Sequence, residues 1–380
     1  MFQREEGAKA ITKEMVRLEC QQKRKHIPET EFVTDMRNND NILEIEDLYT
    51  NFYTDSGVVK AVNGISVAVP RGKTVGIVGE SGCGKSVTSL SIMRLLQRPQ
   101  GQIASGSIRY NLGQSVLADK FGADKAVDLA TAPLNVVRNL RGSEISMIFQ
   151  EPMNSLNPIL TIGDQLDELI ILHQPDWSRK KIKAHSIEML AKVGIPMPEK
   201  IYSRYPHQLS GGMCQRVMIA MAISCNPQLI IADEPTTALD VTIQAQILEL
   251  FKKVREDVGC SIMLITHDLG VVAEMADYIV VMYAGTVIEQ GTAEEIFYDP
   301  RHPYTRGLLK SKPVVNRCTS ELYSIPGHVP SLIDLPDWCY FGSRCDCTRD
   351  VCRNAVPQLV SITQTHKVAC FCTEREDKHE

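Results

Sequence analysis

Short apolar stretches separated by turn residues organise the chain from Ile42 onward. Residues 42–48, 61–69 and 74–78 are alternating or continuously apolar and are bounded by Asp55-Ser56-Gly57 and Pro70-Arg71-Gly72, which predicts three strands. Past Gly79 the apolar period becomes helical through Arg94-Leu95-Leu96 and stops at Pro99 and Gly101. Residues 112–139, rich in Ala, Asp and Asn, have weak periodicity and read as a loop or an inserted helix. A buried strand is predicted at 144–150, and amphipathic helices at 164–172 and 181–193 lie inside a helical subdomain of about 152–208. Then follow helix 215–224, strand 229–232, helix 243–258, strand 261–266 and strand 276–282. Strand and helix alternate, so the predicted fold class is α/β, a mostly parallel sheet with helices on its faces. Residues 1–40 are polar and charged, with a basic run at Lys23, Arg24 and Lys25, and read as a loosely attached extension with helical potential.

Composition narrows this picture. The 380 residues are 43% hydrophobic and 23% charged, which excludes disordered and collagen-like chains. No apolar run approaches the roughly 18 residues that cross a bilayer, and residues 278–284 have the length of a buried strand. The first 25 residues carry Arg4, Glu5, Glu6, Lys9, Lys13, Glu14 and Arg17 and lack the apolar core of a secretory signal, so a cytosolic chain is expected. Basic and acidic residues number 41 and 46, a net charge of -5 that gives nucleic acid no electrostatic footprint. Cysteine is the exception, since Cys339, Cys345, Cys347, Cys352, Cys370 and Cys372 crowd into one short C-terminal stretch. In a chain without an export signal, clustered thiols hold metal more often than they form disulfides.

Three motifs carry chemistry. Gly79, Glu80, Ser81, Gly82, Cys83, Gly84, Lys85 and Ser86 fit GxxxxGK[ST] between the apolar strand at 75–78 and the head of a helix. Glycines let the backbone curl so that its N–H groups face phosphate oxygens, Lys85 reaches the terminal phosphates, and Ser86 offers a hydroxyl to Mg²⁺. A Gly-rich turn before a helix is the plainer reading, and the strand context argues against it. Asp233 and Glu234 follow the buried run Leu229-Ile230-Ile231-Ala232, at the edge where a parallel sheet presents its ligands. Asp233 suits Mg²⁺ coordination and Glu234 suits polarising the water that attacks a γ-phosphate, although paired acids also end ordinary strands. Leu209-Ser210-Gly211-Gly212-Met213-Cys214-Gln215-Arg216 is a second Ser-Gly-Gly that opens onto a helix and aims backbone N–H groups at an anion.

With two phosphate-facing loops, residues 42–312 resemble the ATP-binding cassette (ABC) family in motif and order. The resemblance implies a P-loop NTPase with a RecA-like, mostly parallel core, an antiparallel β subdomain, an inserted helical subdomain and a small Cys-rich C-terminal extension. It divides the chain into an ATPase domain at 41–298 and a C-terminal region at 299–380. It also implies ATP sandwiched between the phosphate loop of one subunit and Ser210, Gly211, Gly212 and Gln215 of another. Gln150 stands where the family has its γ-phosphate sensor and Mg²⁺ ligand, Ala238-Leu239-Asp240 where it has a dimer-contact loop, and His267 where it has a switch histidine, 33 residues after Glu234. An aromatic residue is expected to stack on adenine, and Phe52 is the candidate, with Tyr53 as its competitor.

Residues 149–158 and 302–309 resemble the ATPase subunits of oligopeptide, dipeptide and nickel importers more narrowly. That subfamily implies ATP hydrolysis at the cytoplasmic face of the plasma membrane. The partners implied are a second ATPase, usually a paralogue in a heterodimer, two transmembrane permeases, and an extracellular solute-binding protein reached through the complex. Cys83 replaces a common Ser and Cys214 a usual Arg, and neither replaces a group whose side chain does the chemistry. A soluble mechanical ATPase acting on DNA or ribosomes shares these motifs, but the 60 residues between Gln150 and Ser210 are too few for coiled-coil arms and there is one cassette.

Cys339, Cys345, Cys352 and Cys370, spaced C-x5-C-x6-C-x17-C, match the four-cysteine tail of the subfamily. Four thiolates suit a [4Fe-4S] cluster or tetrahedral Zn²⁺, and spacing does not choose between them. The resemblance implies the cluster for some members, with zinc and metal-free buried thiols as alternatives. Cys347 and Cys372 are extra to the pattern.

Overall fold

The computed structural model describes residues 12–21, 24, 27–113, 115–237, 239–311, 323–333 and 335–372. Residues 1–11, Lys23, Lys25 and Ala238 lie outside them. In chain order the strands are β1 (Val33–Thr34), β2 (Asn41–Thr54), β3 (Gly57–Pro70), β4 (Thr74–Val78), β5 (Gly101–Asn111), β6 (Ala126–Asp128) and β7 (Ile145–Ile148). They continue with β8 (Leu229–Asp233), β9 (Ser261–Thr266), β10 (Tyr278–Tyr283), β11 (Thr286–Thr292), β12 (Val360–Ser361) and β13 (Lys367–Val368). Two sheets result, one of order β1-β6-β5-β2-β3 and one of order β12-β13-β11-β10-β4-β9-β8-β7.

In the second sheet β10, β4, β9, β8 and β7 run parallel. Strands β4, β8 and β9 are buried along their whole length, which is why they read as continuous apolar runs rather than alternating ones. Their register pairs Ile148 with Ala232, Asp233 with Ile265, and Val78 with Thr266. The carboxyl ends therefore line up, and Gly79, Gln150, Asp233, Glu234 and His267 leave the sheet along one edge.

The longer helices that cover and extend this sheet are α1 (Lys85–Ile92), α2 (Ile162–His173), α3 (Arg179–Lys192), α4 (Gly211–Ile223) and α5 (Val241–Val258), and the short helix Leu269–Met275 packs on β4 and β9. Helix α5 buries Ile247, Leu248, Leu250, Phe251 and Val254, one face at three- and four-residue spacing. Thr161 caps α2 through a reciprocal box with Asp164, and Ser178 caps α3. Helix α1 stops at Ile92 rather than running to Leu96 as the sequence predicts. Arg94 turns left-handed (φ 52°) so that its guanidinium can donate to the Leu129 and Ala130 carbonyls at 2.6 and 2.7 Å. None of the described helices is long and apolar enough to cross a membrane.

The first sheet contains what the sequence leaves unread. Residues 112–139 are neither a plain loop nor a single helix, because β6 lies between short helices at Ala118–Phe121 and Leu134–Leu140. Strand β6 pairs with β5 and with β1, which comes from the polar N-terminal stretch. The described part of that stretch is not loosely attached. Leu18, Ile27, Phe32 and Met36 are buried, Phe32 meets Phe121 edge-on at 5.7 Å, and Gln102 Nε2 donates to the Met15 carbonyl at 3.0 Å. Each of the two segments is completed by the other, so neither carries a legible period alone.

The C-terminal region adds an antiparallel edge, β11-β13-β12, to the parallel core. Tyr283, Tyr304 and Phe341 pack ring against ring at 4.8 to 5.5 Å, and His366 Nε2 lies 2.8 Å from the Glu289 carboxylate in a fully buried pair. Ring pairs of this kind add about 0.5–1.5 kcal/mol each beyond the area they bury.

The N-terminal packing is testable. Phe32→Ala is expected to cost about 3–5 kcal/mol of stability in urea unfolding, the range for an aromatic removed from a core. A cost under about 0.5 kcal/mol is what a surface extension would give.

Candidate functional site

The turn from β4 into α1 is shaped by residues that tolerate no side chain. Gly84 has φ 100°, and a Cβ there would lie 2.3 Å from the Ala61 carbonyl oxygen. Only glycine lets β3 approach so closely while the chain swings left-handed into the helix. Lys85 is buried at 4% exposure and folds its ammonium back onto the loop, donating to the Gly79 and Glu80 carbonyls at 2.8 and 3.0 Å. Cys83 is buried, and burial pushes its thiol up, so the residue packs as a small neutral group. Glu80 donates its N–H to the Tyr304 hydroxyl at 2.9 Å, while Ser81 and Gly82 are exposed at the rim.

Ser86 Oγ donates to Asp233 Oδ1 at 2.9 Å, bringing the helix head of the phosphate loop to the end of β8. Burial pushes the Asp233 carboxyl up and neighbouring Glu234 adds to it, against the Ser86 hydrogen bond and the charge of Lys85. A hydroxyl and a carboxylate so close together are hard oxygen donors of the kind Mg²⁺ takes.

Glu234 sits in the left-handed region (φ 48°), a conformation that costs a side-chain-bearing residue about 1–3 kcal/mol, with its N–H held by the Ile265 carbonyl at 2.8 Å. Three groups surround its carboxylate: Gln150 Nε2 donates at 3.1 Å, Thr237 Oγ1 donates at 2.9 Å, and His267 Nδ1 lies at 3.3 Å. The carboxylate is 13% exposed and the imidazole 59%, so an oriented base stands under a ring that can reach solvent. Thr237 was not singled out from sequence; its position three residues past Glu234, in a turn, is the signal that could have found it.

Ser210 caps α4, its Oγ accepting from the Met213 N–H at 3.3 Å, with open space beside Gly211. Among the described residues no hydrogen bond joins this helix end to the phosphate loop of the same chain. Gln215 and Cys214 are buried at 1% and 0%, so the structure turns Gln215 into the core rather than toward a partner. Asp240 caps α5, accepting from the Ile243 N–H at 2.9 Å. Of the two aromatic candidates, Tyr53 is buried at 3%, while Phe52 is half-buried with its ring over Gly101 of β5.

Cys339, Cys345, Cys352 and Cys370 do share a cavity, together with Cys347 and Cys372. The cavity they line is small, with room for about one water-sized body. Among the described residues no group of three or more His, Cys, Asp or Glu side chains is arranged to hold a metal ion. Burial pushes the Cys339 and Cys345 thiols up and that of Cys370 to about 12. The expected [4Fe-4S] or Zn²⁺ site is therefore not formed by the described residues in this arrangement.

The ABC transporter family profile matches residues 62–237, and that of the oligopeptide/dipeptide transporter C-terminal region matches residues 288–352. A putative peptide import ATP-binding protein of Brucella abortus is 49% identical over 87% of this chain and 96% of its own length. The oligopeptide transport ATP-binding protein AppD of Bacillus subtilis is 48% identical over 88% of this chain and 98% of its own. The dimeric structure of a bacterial ABC transporter cassette superposes with a TM-score of 0.57 at 25% identity, over 66% of this chain and 98% of that one.

The raised carboxyl of Asp233 has a signed consequence. An acid whose folded pKa exceeds its unfolded value costs stability as pH rises through the window above the ordinary aspartate value. Asp233→Asn should therefore stabilise the ligand-free protein at pH 7, with the gain fading toward about pH 3 where both forms are neutral. Thermal melts across that range check it, and a variant less stable than the parent at pH 7 contradicts it.

Proposed function

The chain belongs to the ABC transporter family, and we propose that it is the ATP-hydrolysing subunit of an importer for oligopeptides or dipeptides. The observation that carries the reading is Glu234, fixed by Gln150, Thr237 and His267 beside the Ser86–Asp233 contact. In this reading the N–H groups of residues 79–86 and Lys85 bind the phosphates, and Phe52 stacks on adenine. Ser86 and Asp233, with Gln150, would hold Mg²⁺, which when bound neutralises phosphate charge. Glu234 accepts a proton from the attacking water, and Gln150 and His267 orient that water and sense the γ-phosphate.

The site is half of one. Ser210, Gly211 and Gly212 stand at a helix N-terminus unconnected to their own phosphate loop, which supports a head-to-tail pair in which each chain completes the other's site. The partner is a paralogous ATPase. Peptide import named for the relatives, and the matching C-terminal region, support oligopeptides or dipeptides as the cargo.

Permease docking is supported by an apolar groove of about 230 Å³ next to Gln150, lined by Met93, Phe149, Leu156, Leu169 and Met218. Phe149 is 39% exposed there, and an apolar segment of the permease fits the groove better than solvent does. Two such permeases, and a solute-binding protein beyond them, complete the importer, with this chain peripheral at the cytoplasmic face. Closure of the pair on ATP and its reopening after hydrolysis would reach the permease through Gln150 and the helices after it.

Glu234→Gln is expected to retain ATP binding and lower turnover at least about 100-fold, in line with loss of a general base; turnover at the normal rate would remove Glu234 from that role. Phe149→Asp should leave ATP binding unchanged and reduce co-purification with the permeases about tenfold or more. Undiminished assembly would put the docking surface elsewhere.

A further inference from the structure

Glu80 is the one carboxylate within residues 79–86, in a loop whose N–H groups and lysine are arranged for anions. A negative charge there lowers the very potential the loop offers. Arg344 meets it from 264 residues away, with Nη1 donating to Oε2 at 2.8 Å and Nη2 to Oε1 at 3.1 Å, the parallel fork that a guanidinium makes with a carboxylate.

The rest of the guanidinium is also committed. Nε donates to the Pro326 carbonyl at 2.8 Å, Nη1 to the Tyr283 hydroxyl at 3.3 Å, and Nη2 to the Ile325 carbonyl at 3.3 Å. The side chain is 5% exposed. Its backbone is fixed by a turn in which Arg344 N–H donates to the Phe341 carbonyl, Gly342 N–H to that of Cys339, and Cys339 N–H to that of Cys352. A buried arginine with every nitrogen engaged is held in place before any nucleotide arrives.

We propose that Arg344 is a positioning residue of the ATP site, which draws the Glu80 carboxylate aside and neutralises it so that the phosphate loop faces the triphosphate with net positive potential. The proposal rests on the ATPase reading above and adds to it a residue from outside the nucleotide motifs. It makes the C-terminal region a part of nucleotide binding, because the arginine that offsets Glu80 hangs from the cysteine-lined turn.

The test uses the full-length chain, assembled with its partner subunits for turnover, and a mutant cycle between the two residues. Arg344→Ala leaves the Glu80 carboxylate without its partner and should raise KM for ATP about tenfold with kcat within about twofold of the parent, the split expected when binding is weakened without loss of a group that acts in the transition state. Combining Glu80→Gln with Arg344→Ala, with Glu80→Gln alone as the reference for the cycle, should restore KM to within about threefold of that reference, because the charge that needed offsetting is gone. The KM defect of Arg344→Ala should also shrink in about 0.5 M salt. If that variant does not fold, Arg344→Lys, which keeps the charge and loses the fork, should give an intermediate KM. A parental KM for either Arg344 variant overturns the proposal, as does a double variant no better than Arg344→Ala, which would make Arg344 a packing residue. Absence of ATP hydrolysis by the parent assembly would instead overturn the ATPase reading itself.

Discussion

A buried lysine curled onto its own loop is the constraint around which the rest of this structure is organised. Lys85 donates to two carbonyls of its own loop, and so ties the turn between β4 and α1 into one shape. Such a glycine-rich turn has little apolar surface to hold it together, so it is braced from outside. The bracing comes from every direction: Ala61 against Gly84, the Gly285 N–H on the Cys83 carbonyl, Tyr304 on the Glu80 N–H, and Asp233 on Ser86. Both sheets and the C-terminal region are the scaffold for one six-residue turn.

The second expense is at Glu234. Its left-handed backbone is unfavourable for a glutamate, and it persists because β8 and β9 hold the peptide on one side while Gln150, Thr237 and His267 hold the carboxylate on the other. Asp233, next to it, is kept buried against its own tendency to ionise. Strain and desolvation thus coincide on two adjacent residues, the pattern expected where a protein sets stability aside for chemistry.

The parallel core was legible because strands covered on both faces are continuous apolar runs, and the runs ending at Val78, Ala232 and Thr266 each precede a chemically distinct residue. The first sheet was not. A two-residue strand at Val33 and a three-residue strand at Ala126 contain too little pattern to be seen, and each forms by pairing with strands distant in sequence. At the site, motif reading found the groups that act through local geometry. It listed Gln215 with the groups offered to a partner although that side chain is 1% exposed, and it gave the cysteines a metal although no group of three or more candidate ligands is arranged for one among the described residues. Thr237 and Arg344 escaped for opposite reasons, one hidden inside an ordinary turn and the other joined to its partner only by the fold.

The contact of Arg344 with Glu80 also bears on how this protein can be taken apart. Sequence profiles divide the chain into a cassette and a C-terminal region, as if the two were separable modules that recombination could shuffle. The ion pair crosses that boundary at the most sensitive turn in the molecule. A chimera that grafts a foreign tail onto this cassette leaves Glu80 without its partner unless the incoming turn brings its own arginine, so a compatible donor is marked by an arginine at that turn.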